Sequence, residues 1–135
     1  MFSTIFTTIY NKISFEDMQQ CIHNNSIIIN TLSNTKQNCL IKNTIHYYEE
    51  ENVVNKLLDN YSSTQQNIII YGENSIDNTP EKKYDQLKKC GFYNIYIYPG
   101  GLFEWLLLQD IYGDDEFPTT SKLLDILQFK PNRKL

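Results

Sequence analysis

Three short isoleucine-rich runs constrain the fold of this chain more than any other feature. They occupy residues 26–30, 67–71 and 94–98 and are separated by polar, turn-forming sequence. Short runs that are largely apolar at consecutive positions are typical of strands buried on both faces of a parallel sheet. We therefore expect these strands to lie between two layers of helices.

Helical patterns alternate with these runs. Ser14 is expected to cap the first helix, because Asp17 stands at the capping-box distance from it and apolar side chains follow at helical spacing. A second helix is expected to start at the glutamates of residues 49–51, since acidic side chains favour the positive end of a helix dipole. Ile45 lies between these two helices and is predicted to begin a short edge strand.

The later helices have their own start and stop signals. Thr79 is expected to cap the third helix, Pro80 suits its first turn, and Gly91 suits its end. A fourth helix is expected after the glycine pair at residues 100–101, and a short amphipathic helix after Ser121. This alternation of strands and helices predicts an α/β domain whose mainly parallel sheet is covered on both faces.

Length and charge narrow the class of protein. A chain of 135 residues suits one compact domain that buries a core without disulfides or metals. The net charge of −4 argues against a nucleic-acid surface, and the basic tail at residues 130–134 is interpreted as a solvated end. The lack of alanine and the abundance of asparagine and isoleucine suggest an AT-rich genome, such as that of a large DNA virus or a protist.

Cysteine usage and hydropathy indicate the compartment. The three cysteines have no CxxC spacing, which suits reduced thiols in the cytosol. Residues 1–10 lack the basic start of a signal peptide, and no apolar run approaches the roughly 20 residues that span a bilayer. We therefore expect a cytoplasmic protein without a membrane segment.

Four stretches of the sequence resemble the rhodanese-like domain family, in the family's order. Residues 13–18 are similar to its "SxEEL" opening helix, and residues 27–30 to its "LIDVR" strand, with Asn30 in place of the aspartate. Residues 68–72 match the strand that leads to the family's active-site loop. The most specific match is residues 91–105, which follow "GFxNVxxLxGGxxxW".

The resemblance implies a fold and a domain plan. It implies a central, mainly parallel, five-stranded sheet with helices on both faces, in a single domain over residues 1–135. The core would span about residues 13–112, with a C-terminal extension at 113–135. Residues 100–113 are also similar to a stretch in rhodanese-like proteins of eukaryotic microbes and large viruses, to which we attach no activity.

The resemblance also places a departure at the family's chemistry. A working member begins the active-site loop with cysteine and usually carries arginine five residues later. This chain has Gly72 and Asp77 at those positions, and the segment between Asn30 and Glu49 matches the family poorly. The residues equivalent to the active-site loop are Gly72, Glu73, Asn74, Ser75, Ile76, Asp77 and Asn78.

The chemistry of that loop opposes sulfur transfer. A thiolate must attack the donor and carry the persulfide, and Gly72 has no side chain to do either. The carboxylates of Glu73 and Asp77 would repel an anionic guest, since like charges close together cost on the order of 1 kcal/mol even when solvated. Pro80 also removes one backbone N–H near the helix start.

Another cysteine could replace the missing nucleophile. Cys39 follows a polar turn and is the serious candidate for a relocated thiol. Cys21 lies late on the first helix, and Cys90 lies near the negative end of the third helix, where a thiolate is disfavoured. The plainer interpretation of all three is a small buried apolar residue.

Other polar residues do not form a recognised site. His23 and His46 lack ligand-like spacing, and the acidic turn at residues 114–116 lacks the glycine-bearing pattern of a calcium loop. Ser75 lacks the G-x-S-x-G frame of a serine hydrolase. We therefore predict no metal and no cofactor.

The sequence leaves three functions open. The first is a non-catalytic rhodanese-like module that binds or regulates an unknown protein partner. Its contact surface could combine the rim of the 72–78 loop, the turn at residues 114–118 and the C-terminal tail. The alternatives are a sulfurtransferase that uses Cys39 and a structural protein that self-associates. The sequence does not name the partner or the oligomeric state.

Overall fold

The computed structural model describes residues 9–60 and 65–135, so the expectation about residues 1–10 falls almost wholly outside the described residues. Helices and strands alternate along the chain as the isoleucine runs predict. The elements are α1 (Phe15–His23), β1 (Ile27–Asn30), β2 (Thr44–Ile45), α2 (Glu50–Asp59), β3 (Ile68–Tyr71), α3 (Thr79–Lys89), β4 (Ile95–Ile97), α4 (Gly101–Tyr112) and a 3-10 helix (Ile126–Phe129).

The strands form one parallel sheet in the order β2-β1-β3-β4. The α/β prediction is confirmed, but the described residues contain four strands rather than five. At the free edge of β4, Lys12 makes only an isolated parallel bridge with Ile97. Ile97 donates to the carbonyl of Asn11 at 2.8 Å and accepts from Ile13 at 2.9 Å. The chain then enters α1 at Ser14, so the pairing stops before a fifth strand develops.

The sheet is buried on both faces because successive side chains of a strand point in opposite directions. Ile28 and Ile69 face one apolar cluster, which α1 and α4 cover. Ile29 and Ile70 face a second cluster, which α3 covers and against which α2 packs. The consecutive isoleucines therefore supply both cores at once.

Residues after α4 complete the first of these cores. Phe117 and Phe129 are buried in the same cluster as Trp105, which is fully buried. The Trp105 indole N–H donates to the carbonyl of Pro118 at 3.1 Å, and its ring meets that of Phe117 edge-on at 5.0 Å between centroids. The C-terminal segment is thus tied to the middle of α4.

Two helix-start predictions have different outcomes. The capping box is confirmed, because the Ser14 hydroxyl accepts from the Asp17 N–H while the Asp17 carboxylate accepts from the Ser14 N–H. The helix expected after Ser121 is wrong: the only helical turn there is the 3-10 helix (Ile126–Phe129). The Ser121 hydroxyl donates instead to the carbonyl of Asn38 at 2.7 Å, so it is not available as a cap.

No helix in the described ranges combines the length and the apolar character that crossing a bilayer requires. The longest, α4, has 12 residues, and a membrane span needs roughly 20.

Replacement of Trp105 by phenylalanine should destabilise the protein. The Trp105→Phe variant keeps an aromatic ring but removes one of the two donors to the Pro118 carbonyl, since the Lys42 N–H also donates there at 3.1 Å. It also leaves a cavity where the larger indole stood, and together these losses should lower the free energy of unfolding by about 1–3 kcal/mol. Urea denaturation followed by circular dichroism measures this change. Tyr93 is 68% exposed, so Tyr93→Phe is the control and should change stability by less than about 0.5 kcal/mol. Equal stability of both variants would contradict the packing described for Trp105.

Candidate functional site

The loop at residues 72–78 joins β3 to α3 at the carboxyl edge of the sheet, where open α/β sheets commonly bind ligands. The start of α4 packs directly onto it. Leu102 N–H donates to the carbonyl of Gly72 at 2.9 Å. Gly101 has φ +68°, and a Cβ there would lie 2.7 Å from the same carbonyl oxygen. Only glycine permits this approach, so the loop and α4 are held together by their backbones.

The Asp77 carboxylate lies inside the loop and binds its backbone. Its Oδ2 accepts from the Glu73 N–H at 3.0 Å. Its Oδ1 accepts from the Thr79 N–H at 3.0 Å and from the Thr79 hydroxyl at 2.8 Å. The prediction that Thr79 caps α3 is wrong, because Thr79 is the first residue of the helix and Asn78 stands at the cap position without a side-chain cap hydrogen bond. The Asp77 carboxylate instead binds the backbone N–H of this first helical residue. The loop provides a carboxylate of its own to donors that could otherwise face an anionic ligand.

Gly72 is buried beside this carboxylate. A Cβ on Gly72 would overlap Asp77 Oδ2 and would lie 3.0 Å from both Pro80 Cγ and Thr31 Oγ1. Thr31 is itself fixed, because its hydroxyl lies 2.7 Å from that of Thr79. A side chain at position 72 would therefore have to displace Asp77 from its hydrogen bonds.

Asn74 fixes the middle of the loop to the C-terminal segment. Its Nδ2 donates to the carbonyl of Phe129 at 3.0 Å, and its Oδ1 accepts from the Ile76 N–H at 3.1 Å. Asn74 is only 8% exposed, whereas Ile76 is 54% exposed. Ser75 and Asn78 are also exposed. The loop thus has a fixed inner side and an outer rim that faces solvent.

Glu73 is not a bare negative charge, contrary to the electrostatic interpretation of the sequence. Its carboxylate accepts from Lys36 Nζ at 2.6 Å. The same ammonium lies 6.0 Å from the centroid of the Phe129 ring. One of the two carboxylates expected to repel an anion is therefore paired, and the other, Asp77, is bound by loop donors.

Asn30 ends β1 as part of a neutral, buried amide pair. Its Nδ2 donates to Gln37 Oε1 at 3.1 Å, and Gln37 Nε2 donates to Asn30 Oδ1 at 2.7 Å. Both side chains are less than 10% exposed. Gln37 Nε2 also contacts the carbonyl of Ser33 at 3.2 Å. The pair holds the polar segment after β1 against the sheet without placing a charge there.

Cys39 is buried away from the hydrogen bonds of this loop. It is 2% exposed, and its thiol donates to the carbonyl of Ser121 at 3.3 Å. Burial raises the pKa of the Cys39 thiol, although hydrogen bonds to Thr119 and Ser121 lower it in part. Burial also raises the pKa of Cys21, while Cys90 is exposed. The structure shows no contact between Cys39 and the loop that would recruit it as a nucleophile.

Among the residues that the structure describes, neither histidine makes a hydrogen bond or ring contact with the loop. His46 packs against Tyr47 and Tyr48, with ring centroids 5.1 and 4.2 Å away. His23 is in the last turn of α1. Within residues 9–60 and 65–135, no group of three or more histidine, cysteine or carboxylate side chains is arranged to hold a metal ion.

Sequence reasoning treated Asp77 as a repelling charge and missed its structural role. The signal was present, because an aspartate two residues before a threonine at a helix start commonly accepts from that residue's backbone N–H. The contact from Asn74 to Phe129 carried no such signal, since 55 residues separate the two partners.

The three cysteines should differ in the rate at which iodoacetamide alkylates them. Because burial raises its pKa, Cys39 should stay protonated and unreactive toward iodoacetamide in the folded protein at pH 8. An ordinary thiol has a pKa of about 8.5, and the labelling rate of Cys39 should rise only at pH values well above that. Exposed Cys90 is the internal control and should react first, and urea should equalise all three rates. Peptide mass spectrometry measures each site, and rapid native labelling of Cys39 would contradict its burial.

Comparison with known proteins finds one matching family model and a similar solved structure. The sequence model of the rhodanese-like domain matches residues 15–108. The structure is similar to the crystal structure of the Alr3790 protein from Anabaena sp., with a TM-score of 0.58 and 18% identity over 86% of this chain and 97% of that one. At that identity the likeness concerns the fold alone. No curated protein matches the chain.

Proposed function

This chain belongs to the rhodanese-like domain family, and from that premise we propose that it acts as a non-catalytic module that binds or regulates another protein. The family resemblance aligns the head of the 72–78 loop with the catalytic cysteine. In this chain that residue is Gly72, which can neither attack a sulfur donor nor carry a persulfide. A cleft without its nucleophile can still serve as a rigid recognition surface.

The observation that carries the proposal is the position of the Asp77 carboxylate. A sulfurtransferase loop needs free N–H donors to hold an anion. Here the N–H groups of Glu73 and Thr79 already donate to Asp77. The same carboxylate occupies the space that a side chain on Gly72 would need. A negative charge in that space opposes both a thiolate and an anionic donor.

The alternative of a relocated nucleophile has less support. Cys39 is buried and donates to the carbonyl of Ser121, and its raised pKa disfavours the thiolate. Attack on a donor would require the segment around Ser121 to move away. The proposal therefore assigns no catalytic residue and no cofactor. The compartment we infer is the cytosol, in keeping with the free cysteines Cys21, Cys39 and Cys90.

A sulfurtransferase assay tests the proposal directly. The purified chain, given thiosulfate and cyanide, should form thiocyanate no faster than a protein-free blank, because no thiolate is positioned to accept the outer sulfur of thiosulfate and release sulfite. Mass spectrometry should find no persulfide on any cysteine.

Cys39→Ser is the matched control for that assay. Turnover that disappears in this variant would favour the relocated thiol. Turnover that persists would show that another nucleophile operates. Either result would refute a non-catalytic role.

Restoring a thiol should require removal of Asp77. Gly72→Cys alone should give little persulfide, because its Cβ overlaps the carboxylate. Gly72→Cys/Asp77→Ala vacates that space and frees the Glu73 N–H, so persulfide formation should rise on the order of tenfold, or about 1.4 kcal/mol. Mass spectrometry after incubation with thiosulfate measures the adduct.

Asp77→Ala alone controls for stability. It should lower the free energy of unfolding by about 1–3 kcal/mol, since it leaves loop donors unpaired, and it should form no adduct at position 72. Equal persulfide yields from Gly72→Cys and from Gly72→Cys/Asp77→Ala would show that Asp77 does not block the loop.

A further inference from the structure

A groove separate from the 72–78 loop lies between α1, α4 and the turn that follows α4. Its volume is about 530 Å³, within the range of roughly 300–1,000 Å³ that binding pockets occupy. Its walls combine apolar side chains with two carboxylates. The lining includes Phe15, Leu108, Tyr112 and Phe117 together with Glu16 and Glu116.

We propose that this groove binds a basic amphipathic helix from another protein, with leucine or phenylalanine side chains in the groove and lysine or arginine at its edge. The inference rests on the proposed role as a binding module and names the surface and the partner chemistry. Binding of such a helix requires a groove with a preformed apolar floor and with carboxylates that lack basic partners. It also requires a partner segment that is long enough to fill the groove.

The apolar floor is preformed. The Phe117 ring is 3% exposed and lies 5.7 Å from the ring of Phe15 and 6.1 Å from that of Tyr112, between centroids. It also meets Trp105 edge-on in the core. Because the Phe117 ring is fixed in the core before binding, a partner meets an apolar floor without the entropic cost of ordering that side chain. Tyr112 is nevertheless 64% exposed, so it can contact an added side chain.

The carboxylates at the groove have no basic partner within residues 9–60 and 65–135. The only ion pairs among the described residues use Glu73 and Glu50. Glu16 and Glu116 are exposed, and no basic side chain lines the groove. Gln19 bonds only the Glu116 backbone carbonyl, at 2.8 Å, so the carboxylate stays free. The exposed acidic turn at residues 114–115 adds to the negative potential, which attracts cations.

The chain's own tail is a poor occupant. It is basic at Lys130, Arg133 and Lys134, but after the buried Phe129 its single large apolar side chain is Leu135. One leucine cannot cover a floor formed by three aromatic rings and Leu108. A helix with apolar residues at i, i+3, i+4 and i+7 presents several such side chains together, which is how helices dock into apolar grooves.

Peptide titration tests the inference. The full chain is titrated into a labelled, two-heptad helical peptide of leucine and lysine, and fluorescence anisotropy is followed at low salt. Peptides in which glutamate replaces lysine, or serine replaces leucine, should bind at least tenfold more weakly. The first lacks the charge and the second lacks the apolar face that the groove requires.

Matched variants locate the binding. Glu16→Gln/Glu116→Gln should weaken binding of the leucine-lysine peptide about fivefold or more at low salt, with a smaller effect at high salt. Tyr112→Ser should weaken it at both salt concentrations. Glu49→Gln/Glu51→Gln removes the same number of exposed charges elsewhere and should change affinity less than twofold. Thermal unfolding confirms that the variants remain folded.

Three outcomes would overturn the inference. One is failure of the leucine-lysine peptide to bind; another is equal loss of affinity in both charge variants, which would indicate diffuse attraction. The third is a concentration-dependent dimer, seen by light scattering, that Glu16→Gln/Glu116→Gln abolishes, since a second copy would then occupy the groove. None of these outcomes depends on thiocyanate formation, which tests the non-catalytic role separately.

Discussion

Burial of the sheet on both faces is the constraint on which the other features of the structure depend. Ile28 and Ile69 need cover on one side, while Ile29 and Ile70 need it on the other. Helices must therefore follow the strands on both faces, and the strands pair in parallel. Parallel pairing brings the carboxyl ends of β1, β3 and β4 to one edge of the sheet. The arrangement of the strands is therefore sufficient to place the 72–78 loop next to the start of α4.

The loop is held by contacts from distant parts of the chain. Asn74 donates to the carbonyl of Phe129, and Glu73 binds Lys36. Gly101 brings the backbone of α4 against the same loop. Loops that close over substrates are usually drawn from weakly held segments, whereas this one is fixed by the elements around it. Such fixation suits a surface that presents one shape to a partner.

Local signals in the sequence predicted much of this fold, and distant contacts explain the differences. Consecutive isoleucines identified the strands, and Ser14 with Asp17 identified the first helix start, because these patterns act within one element. The prediction of a fifth strand failed because the chain pairs with Ile97 only through an isolated bridge. The prediction of a helix after Ser121 failed because the Ser121 hydroxyl donates to the distant Asn38 carbonyl instead of capping a helix. The candidate loop was located by resemblance, but nothing near it in sequence reveals its attachment to Phe129.

Asp77 also sets how the loop would respond to anions in solution. A carboxylate joined to the loop by a few bonds competes at an effective concentration that a free metabolite seldom approaches, since intramolecular binding loses little translational entropy. An external sulfate or phosphate would have to displace this tethered group and also break its hydrogen bonds to Glu73 and Thr79. The protein thus carries a permanent internal competitor, which would make this edge of the sheet indifferent to changes in cellular anion levels.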